Sequence, residues 1–328
     1  MKIGKVPEAV LKRSVLNQIH TRRQEVLLGA SVGEDCAAVA VAEDEMLVMS
    51  TDPITGTVQD IGELAIQITV NDLASAGAEP IGVMLTVLLP ERISEQKMRH
   101  MMEQAEAACA KVRVQIMGGH TEVTKAVNQP LISVVGVGKA KKGKIITTSG
   151  ARPGMDMIIT KWIGIEGTAI LAKEKETQLL THFTASFVNE AKAFDRMLSV
   201  LPEATIAVNH GVAAMHDVTE GGIFGALWEM AEASDVGLEI DMRKIPVRQE
   251  TIEICEYFDI NPYELISSGC MLMAASDGNS IVRELEKAGI HAVVVGKARE
   301  GNDRVLYTAQ ERRFLEPPKS DELYKVVS

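Results

Sequence analysis

The chain has 328 residues, 46% of them hydrophobic and 24% charged, with a formal net charge of −11. That length suits about two domains of ordinary size, and the composition is that of a folded protein with a sizeable core, not a disordered one. The acidic balance argues against nucleic acid or an anionic membrane as partner. No stretch approaches the roughly 18 apolar residues of a membrane span, and the opening MKIGKVPEAVLKRS has no apolar leader, so a cytoplasmic location is expected.

Four cysteines, Cys36, Cys109, Cys255 and Cys270, lie far apart with no C-x-x-C pair. This argues against a zinc knuckle or a disulfide framework, and all four are expected to be small buried hydrophobes. The one basic run, residues 139–144 (KAKKGK), reads as a solvated turn.

Taken in chain order, residues 46–50 (MLVMS), 81–89 (IGVMLTVLL) and 131–137 (LISVVGV) predict strands. Residues 93–112 predict a helix whose Met98, Met101, Met102, Ala105, Cys109 and Val112 share a core-facing stripe. Before it, Ile61, Leu64, Ala65 and Ile68 form one face of a helix, with Asp72 near the centre of that face and Asn71 at its edge. Ile66, Val70 and Leu73 cover much of the other side, so this helix is predicted to be buried nearly all round. A carboxylate there needs a cation or a hydrogen-bond donor. Two readings stand at this point: a helix-end acid tied to backbone amides or an Arg, and a ligand for a cation.

Residues 139–155 are rich in Lys, Gly, Ser and Thr, and a fresh apolar run starts at Met157. A boundary near Gly150 is expected, giving domains 1–150 and 151–328. Beyond it the sequence predicts a helix over 185–200, a strand over 205–208, strands over 238–240, 271–275 and 292–295, and a helix over 281–288. Strand and helix mixed in both halves predict an α+β or α/β architecture.

Asp35 in GEDCAAV and Asp52 in TDPITGT stand where glycine-marked turns meet strands. Such acids serve as ordinary turn residues, and they can also converge on Mg²⁺, a hard cation often shared with nucleotide phosphates. In the second half, residues 211–228 read GVAAMHDVTEGGIFGALW. Thr219 is expected to cap a helix beginning at Glu220 or Gly221. Gly221 and Gly222 would leave N–H groups unshielded at its positive end, which suits a phosphate, with Asp217 carrying a metal to it. A glycine turn packed closely on its neighbour is the other reading. GGHTEV, at 118–123, offers Gly118 and Gly119 as a further phosphate-approaching loop. Neither a Walker A pattern nor G-x-G-x-x-G occurs, so a nucleotide site here is of another design.

Together, GEDCAAV, TDPITG, VNDLASAGAEP, GGHTEV, GARPGMDMIIT, HDVTEGG and SSGCMLMA resemble, in order, the superfamily of aminoimidazole ribonucleotide synthetase. That superfamily also holds thiamine-monophosphate kinase, selenophosphate synthetase and the hydrogenase maturation factor HypE, whose branch this chain resembles most. The resemblance implies a two-domain PurM-like fold. An N-terminal α+β domain dimerises through its sheet, a C-terminal α/β domain follows, and ATP lies in a cleft between them. It implies a homodimeric, ATP- and Mg²⁺-dependent phosphotransferase that activates an oxygen of a small molecule or of a maturation protein. Asp35, Asp52, Asp72 and Asp217 then match the positions that hold Mg²⁺, Asn71 contacts the nucleotide or orients Asp72, and Gly118, Gly119, Thr219, Gly221 and Gly222 approach the phosphates.

Three departures qualify the match. HypE ends in a cysteine that carries the group to be activated, whereas this chain ends LYKVVS, so self-modification at a terminal thiol is not expected. His120 stands where several members carry an acid, and Glu166 stands where a His precedes the glycine. A small-molecule kinase like thiamine-monophosphate kinase, and a catalytically silent nucleotide-binding partner in metallocentre maturation, are the alternative readings.

Overall fold

A computed structural model describes residues 3–34, 36–54, 60–317 and 320–327. The chain divides into two compact units, residues 1–74 with 78–145, and residues 75–77 with 146–328.

The first unit runs β1 (Gly4–Lys5), α1 (Glu8–Ser14), β2 (Val26–Leu28), β3 (Ala38–Val39), β4 (Glu45–Ile54), α2 (Ile61–Ser75), β5 (Glu79–Leu89), α3 (Glu95–Val112), β6 (Gln115–Val123) and β7 (Leu131–Lys141). Five strands form one sheet in the order β1-β6-β5-β7-β4, and β2 pairs with β3 apart from it. Only the β5–β6 pair in the larger sheet is parallel. That parallel pair needs a crossover, which α3 supplies. Ser94 caps α3 by accepting the Lys97 N–H at 3.2 Å, and Arg113 ends it in the left-handed region. Of the expected stripe, Met98, Met101, Met102, Ala105 and Cys109 are buried, and Val112 at its end is partly buried.

In β4 the alternation is clear. Leu47, Met49 and Thr51 are exposed, while Val48, Ser50 and Asp52 point to the partly covered face. Val48 packs with Leu73 of α2 on that face. The helix α2 is buried along most of its length, as its all-round apolar sequence predicts.

The second unit runs β8 (Asp156–Thr160), α4 (Ile165–Glu174), α5 (Glu176–Leu179), α6 (Ala185–Lys192), α7 (Leu201–Asn209), β9 (Ala214–Asp217), α8 (Gly222–Ser234), β10 (Gly237–Asp241), α9 (Gln249–Phe258), β11 (Met271–Ala275), α10 (Gly278–Lys287), β12 (Ala292–Arg299), β13 (Arg304–Tyr307), β14 (Arg312–Phe314) and α11 (Tyr324–Val327). Its sheet has the order β14-β13-β10-β12-β8-β11-β9, with only β10 and β13 parallel. The central strands β8 and β11 are buried on both faces, which explains their unbroken apolar runs.

Several expectations change. Residues 205–208 belong to α7, not to a strand. Pro202 sits in its first turn, Thr205 donates to the Leu201 carbonyl at 2.8 Å, and Ala204 and Ala207 face the core, so helical burial overrides the β-branched residues. The helix expected over 185–200 stops at Lys192 and continues as a 3-10 turn, Ala193–Met197. Cys109, Cys255 and Cys270 are buried, but Cys36 is exposed. The basic run is not only a solvated turn, because β7 extends through Lys141 and draws Lys139 into an ion-pair network.

Candidate functional site

Two groups of acids stand out, one in each unit. In the first, α2 lies on the face of β4 that carries Ser50 and Asp52. The Ser50 hydroxyl donates a short hydrogen bond to Asp72 Oδ2. This supplies the donor that the sequence demanded of a carboxylate on a buried helix. Asp72 is nevertheless half-buried, as is Asp52 on the same strand face two residues beyond Ser50. Asn71 is 0% exposed and accepts from Gln67 Nε2 at 3.5 Å, one helical turn away. The structure therefore joins Ser50 and Asp72 across one helix–strand contact, with Asp52 further along the same strand face and Asn71 next to Asp72 on the helix. Asp35 lies outside the described residues.

GGHTEV is not a loop. It forms the second half of β6, paired with β5. Gly119 has φ +142°, and a Cβ there would fall 1.9 Å from the Leu85 carbonyl oxygen, so close strand packing by itself requires glycine. Gly118 and His120 help line a cavity of about 410 Å³ together with Lys5, Ser31, Gly33 and Glu34. His120 faces Glu122, with Nε2 3.2 Å from its carboxylate.

In the second unit, Asp217 ends β9 and is buried. Thr219 does not cap α8 with its side chain. The cap position is Gly221, at φ 81°, and no side chain of its own turn satisfies it. The Gly221 N–H instead donates to Asp321 Oδ2 at 2.7 Å, while Asp321 Oδ1 accepts the Leu323 N–H at 2.8 Å. Residue 222 must be glycine: it has φ +60°, and a Cβ would lie 2.6 Å from the Tyr263 carbonyl oxygen and 2.8 Å from that of Leu265. The close-packed reading of this turn thus accounts for Gly222.

Glu166, in the first turn of α4, is 2% exposed and accepts the Ser268 N–H at 3.2 Å. Burial pushes its carboxyl up to about 7, with the charges of Asp321 and Asp217 adding to the effect. Asp321 is raised for the same reason, burial first. Sequence reasoning missed Ser50, Ser268 and Asp321. The only local signal for Asp321 was an acid in a polar tail, and its partner is far away in the chain.

Among the described residues, no three His, Cys, Asp or Glu side chains gather into a metal cage. The donor set at α2 and β4 nevertheless fits Mg²⁺, which takes one or two carboxylates and completes its shell with water and phosphate oxygens. Asp52, Asp72 and the Ser50 hydroxyl are all hard oxygen donors. Among the described residues, no helix is long and apolar enough to cross a membrane.

Residues 33–140 match the N-terminal domain of AIR synthase related proteins, and residues 152–308 match their C-terminal domain. The chain belongs to the AIR synthase related family. It is 29% identical to a protein assigned to hydrogenase expression and formation in Methanocaldococcus jannaschii, over 98% of this chain and 97% of that one. It is also 29% identical to the carbamoyl dehydratase HypE of Cupriavidus necator, over 78% of this chain and 76% of the relative. Among solved structures, the hydrogenase maturation protein HypE in complex with ATP shares the fold with a TM-score of 0.82 at 20% identity, covering 98% of this chain and 97% of that one. Thiamine-monophosphate kinase from Stenotrophomonas maltophilia shares it with a TM-score of 0.76 at 20% identity, over 94% of this chain and 99% of that one. The mixed two-domain fold expected from the sequence is the one observed.

Proposed function

We propose that this protein binds ATP with Mg²⁺ and transfers a phosphoryl group to an oxygen of an acceptor, an ATP-dependent activation related to that of HypE. The observation that carries this reading is the shared strand–helix face of Asp52 and Asp72, with a hydroxyl holding Asp72 in place. When bound, Mg²⁺ would neutralise charge on the transferring phosphoryl group, which is how such transfers are chiefly catalysed.

The chain's own residues do the rest. Ser50 holds Asp72 Oδ2 toward β4. Asn71, held by Gln67, orients the same turn. Asp35 and Asp217 are proposed as metal ligands from their own sequence motifs, GEDCAAV and HDVTEGG. Gly118, at the edge of the cavity, is proposed to allow close approach of a phosphate, together with Gly119. Thr219, Gly221 and Gly222 are proposed to serve phosphate at α8, and for Gly221 to do so Asp321 must first release its N–H.

The test is a calorimetric titration with ATP and Mg²⁺, followed by a screen of acceptors for stimulated ADP release. Saturable, Mg²⁺-dependent binding that is lost in Asp72→Asn supports the reading, and undiminished binding in that variant sinks it. ADP release that appears only with thiamine monophosphate would favour the small-molecule kinase. A stable complex with another maturation protein and no turnover would favour a silent partner. A solved HypE–HypF complex shows such a pairing for a protein of this fold.

We also propose a homodimer formed through the N-terminal sheet. Leu47 and Met49, 43% and 63% exposed on the outer face of β4, support it, because apolar side chains in a row there favour a partner.

A further inference from the structure

The first unit has a second cavity, of about 420 Å³, lined by Arg22, Arg23, Gln24, Glu25, Glu79, Arg113 and Lys139. Among the described residues, no apolar or aromatic side chain lines it. Four cations against two carboxylates leave two positive charges in excess, within a chain whose formal net charge is −11.

Its floor is a built ion network. Arg23 meets Glu25 through Nε at 3.0 Å and Nη2 at 2.8 Å, and it meets Glu79 at 2.6 Å. Lys139 Nζ lies 2.8 Å from Glu25. The side chains of Arg23 and Lys139 are only 11% and 15% exposed. The turn that carries Arg22 and Arg23 is pinned from beneath. Glu106 Oε1 accepts the His20 N–H at 3.0 Å and the Thr21 N–H at 2.5 Å, and Gln115 Oε1 accepts the Arg23 N–H at 2.7 Å. Both Glu106 and Gln115 are buried. Burying such groups is costly unless they are hydrogen-bonded, and here their bonds fix the backbone that carries Arg22 and Arg23.

The floor cations are matched by Glu25 and Glu79, but Arg22 and Arg113 are not. Among the described residues, Arg22 bonds only to the Thr21 carbonyl, at 3.1 Å, and Arg113 is the left-handed cap of α3. Neither has an ion pair among the described residues. Guanidinium groups facing a polar cavity suit oxyanions, which they bind bidentately. An acidic peptide or a nucleobase would find no apolar or stacking surface here, whereas a small polyanion needs none.

We propose that this cavity binds a diphosphate-type anion through Arg22 and Arg113, at a site separate from the acids of β4 and α2. The β4–β7 register separates them: Asp52 pairs with Val134 and Leu47 pairs with Lys139. Five residues of strand put the two regions roughly 17 Å apart along the sheet. The proposal stands whether or not the chain turns over ATP.

The test uses the full chain and titration calorimetry with inorganic pyrophosphate, ADP and sulfate at matched ionic strength. Saturable pyrophosphate binding is expected, weakened at least about tenfold in the double variant Arg22→Gln/Arg113→Gln and unchanged in Asp72→Asn. ADP binding that is lost in the same double variant would identify a nucleotide as the source of the diphosphate. Because both arginines are exposed, the variant should fold, and an unchanged melting curve checks this. The proposal is overturned by absent or non-saturable pyrophosphate binding, by equal affinity for sulfate, by unchanged affinity in the double variant, or by loss of binding in Asp72→Asn.

Discussion

Asp72 in the first unit meets a side-chain hydroxyl and stays half-exposed, with a second acid, Asp52, on the strand face that supplies the hydroxyl. Glu166 and Asp321 in the second unit are buried and take their hydrogen bonds from backbone N–H groups. A carboxylate that keeps contact with solvent stays available to a cation. One sealed among other acids is driven toward its protonated form. The same residue type thus serves a candidate ligand set in one unit and a structural role in the other.

The variant Asp72→Asn tests this difference between the two units most severely. Mg²⁺-dependent ATP turnover should fall on the order of 100-fold or more, as expected when a charge-neutralising contact is lost, while thermal stability barely moves. A large drop in melting temperature with activity retained would make Asp72 structural, like its counterparts in the other unit.

Glu166 gives the next largest effect. The folded chain holds a proton there between the ordinary carboxyl value of 4.5 and about 7, whereas the unfolded chain releases it. The stability from this site is therefore complete below about 4.5 and is lost as pH rises through about 7, at most about 3 kcal/mol. Urea melts from pH 4 to 8 on the wild type and on Glu166→Gln should show this slope in the first and not in the second. The same slope in both would place the cause elsewhere.

Asp321→Ala should cost about 2 kcal/mol in denaturant unfolding, because it strands the Gly221 and Leu323 N–H groups in the interior. Asp321→Asn, which keeps an acceptor, should recover part of that loss. Ser50→Ala should have the smallest effect on stability, under about 1 kcal/mol. It should still weaken Mg²⁺-dependent ATP binding about tenfold if Ser50 positions Asp72, an effect that calorimetry reads directly.

Much of the fold was legible because its strands are buried or alternate cleanly. The runs 81–89 and 271–275 reappear as β5 and β11, and the all-round apolar α2 is buried as its sequence demands. The helix over 201–209 was not legible, since Thr205, Ile206 and Val208 favour strands locally and only tertiary burial of Ala204 and Ala207 reverses this. Within the site, the need of Asp72 for a donor could be read from its helix, but not the donor, because Ser50 comes from another element. The cap on α8 was mistaken for the same reason: Thr219 is adjacent in sequence, whereas Asp321 arrives from the tail. At 119 and 222 glycine has a packing reason that the sequence does not reveal, since a neighbouring carbonyl excludes any side chain there.

The alternation of β4 has a mechanical consequence. One ten-residue strand offers Leu47 and Met49 outward and Ser50 and Asp52 inward. Its ladder with β7 runs unbroken from Glu45 to Ile54, with no bulge to absorb an error. A slip by a single residue would turn Ser50 and Asp52 out to solvent and drive the apolar pair under α2, exchanging both surfaces at once. The strand thus acts as a two-sided gauge, on which the candidate metal face and the candidate partner face can only be right together.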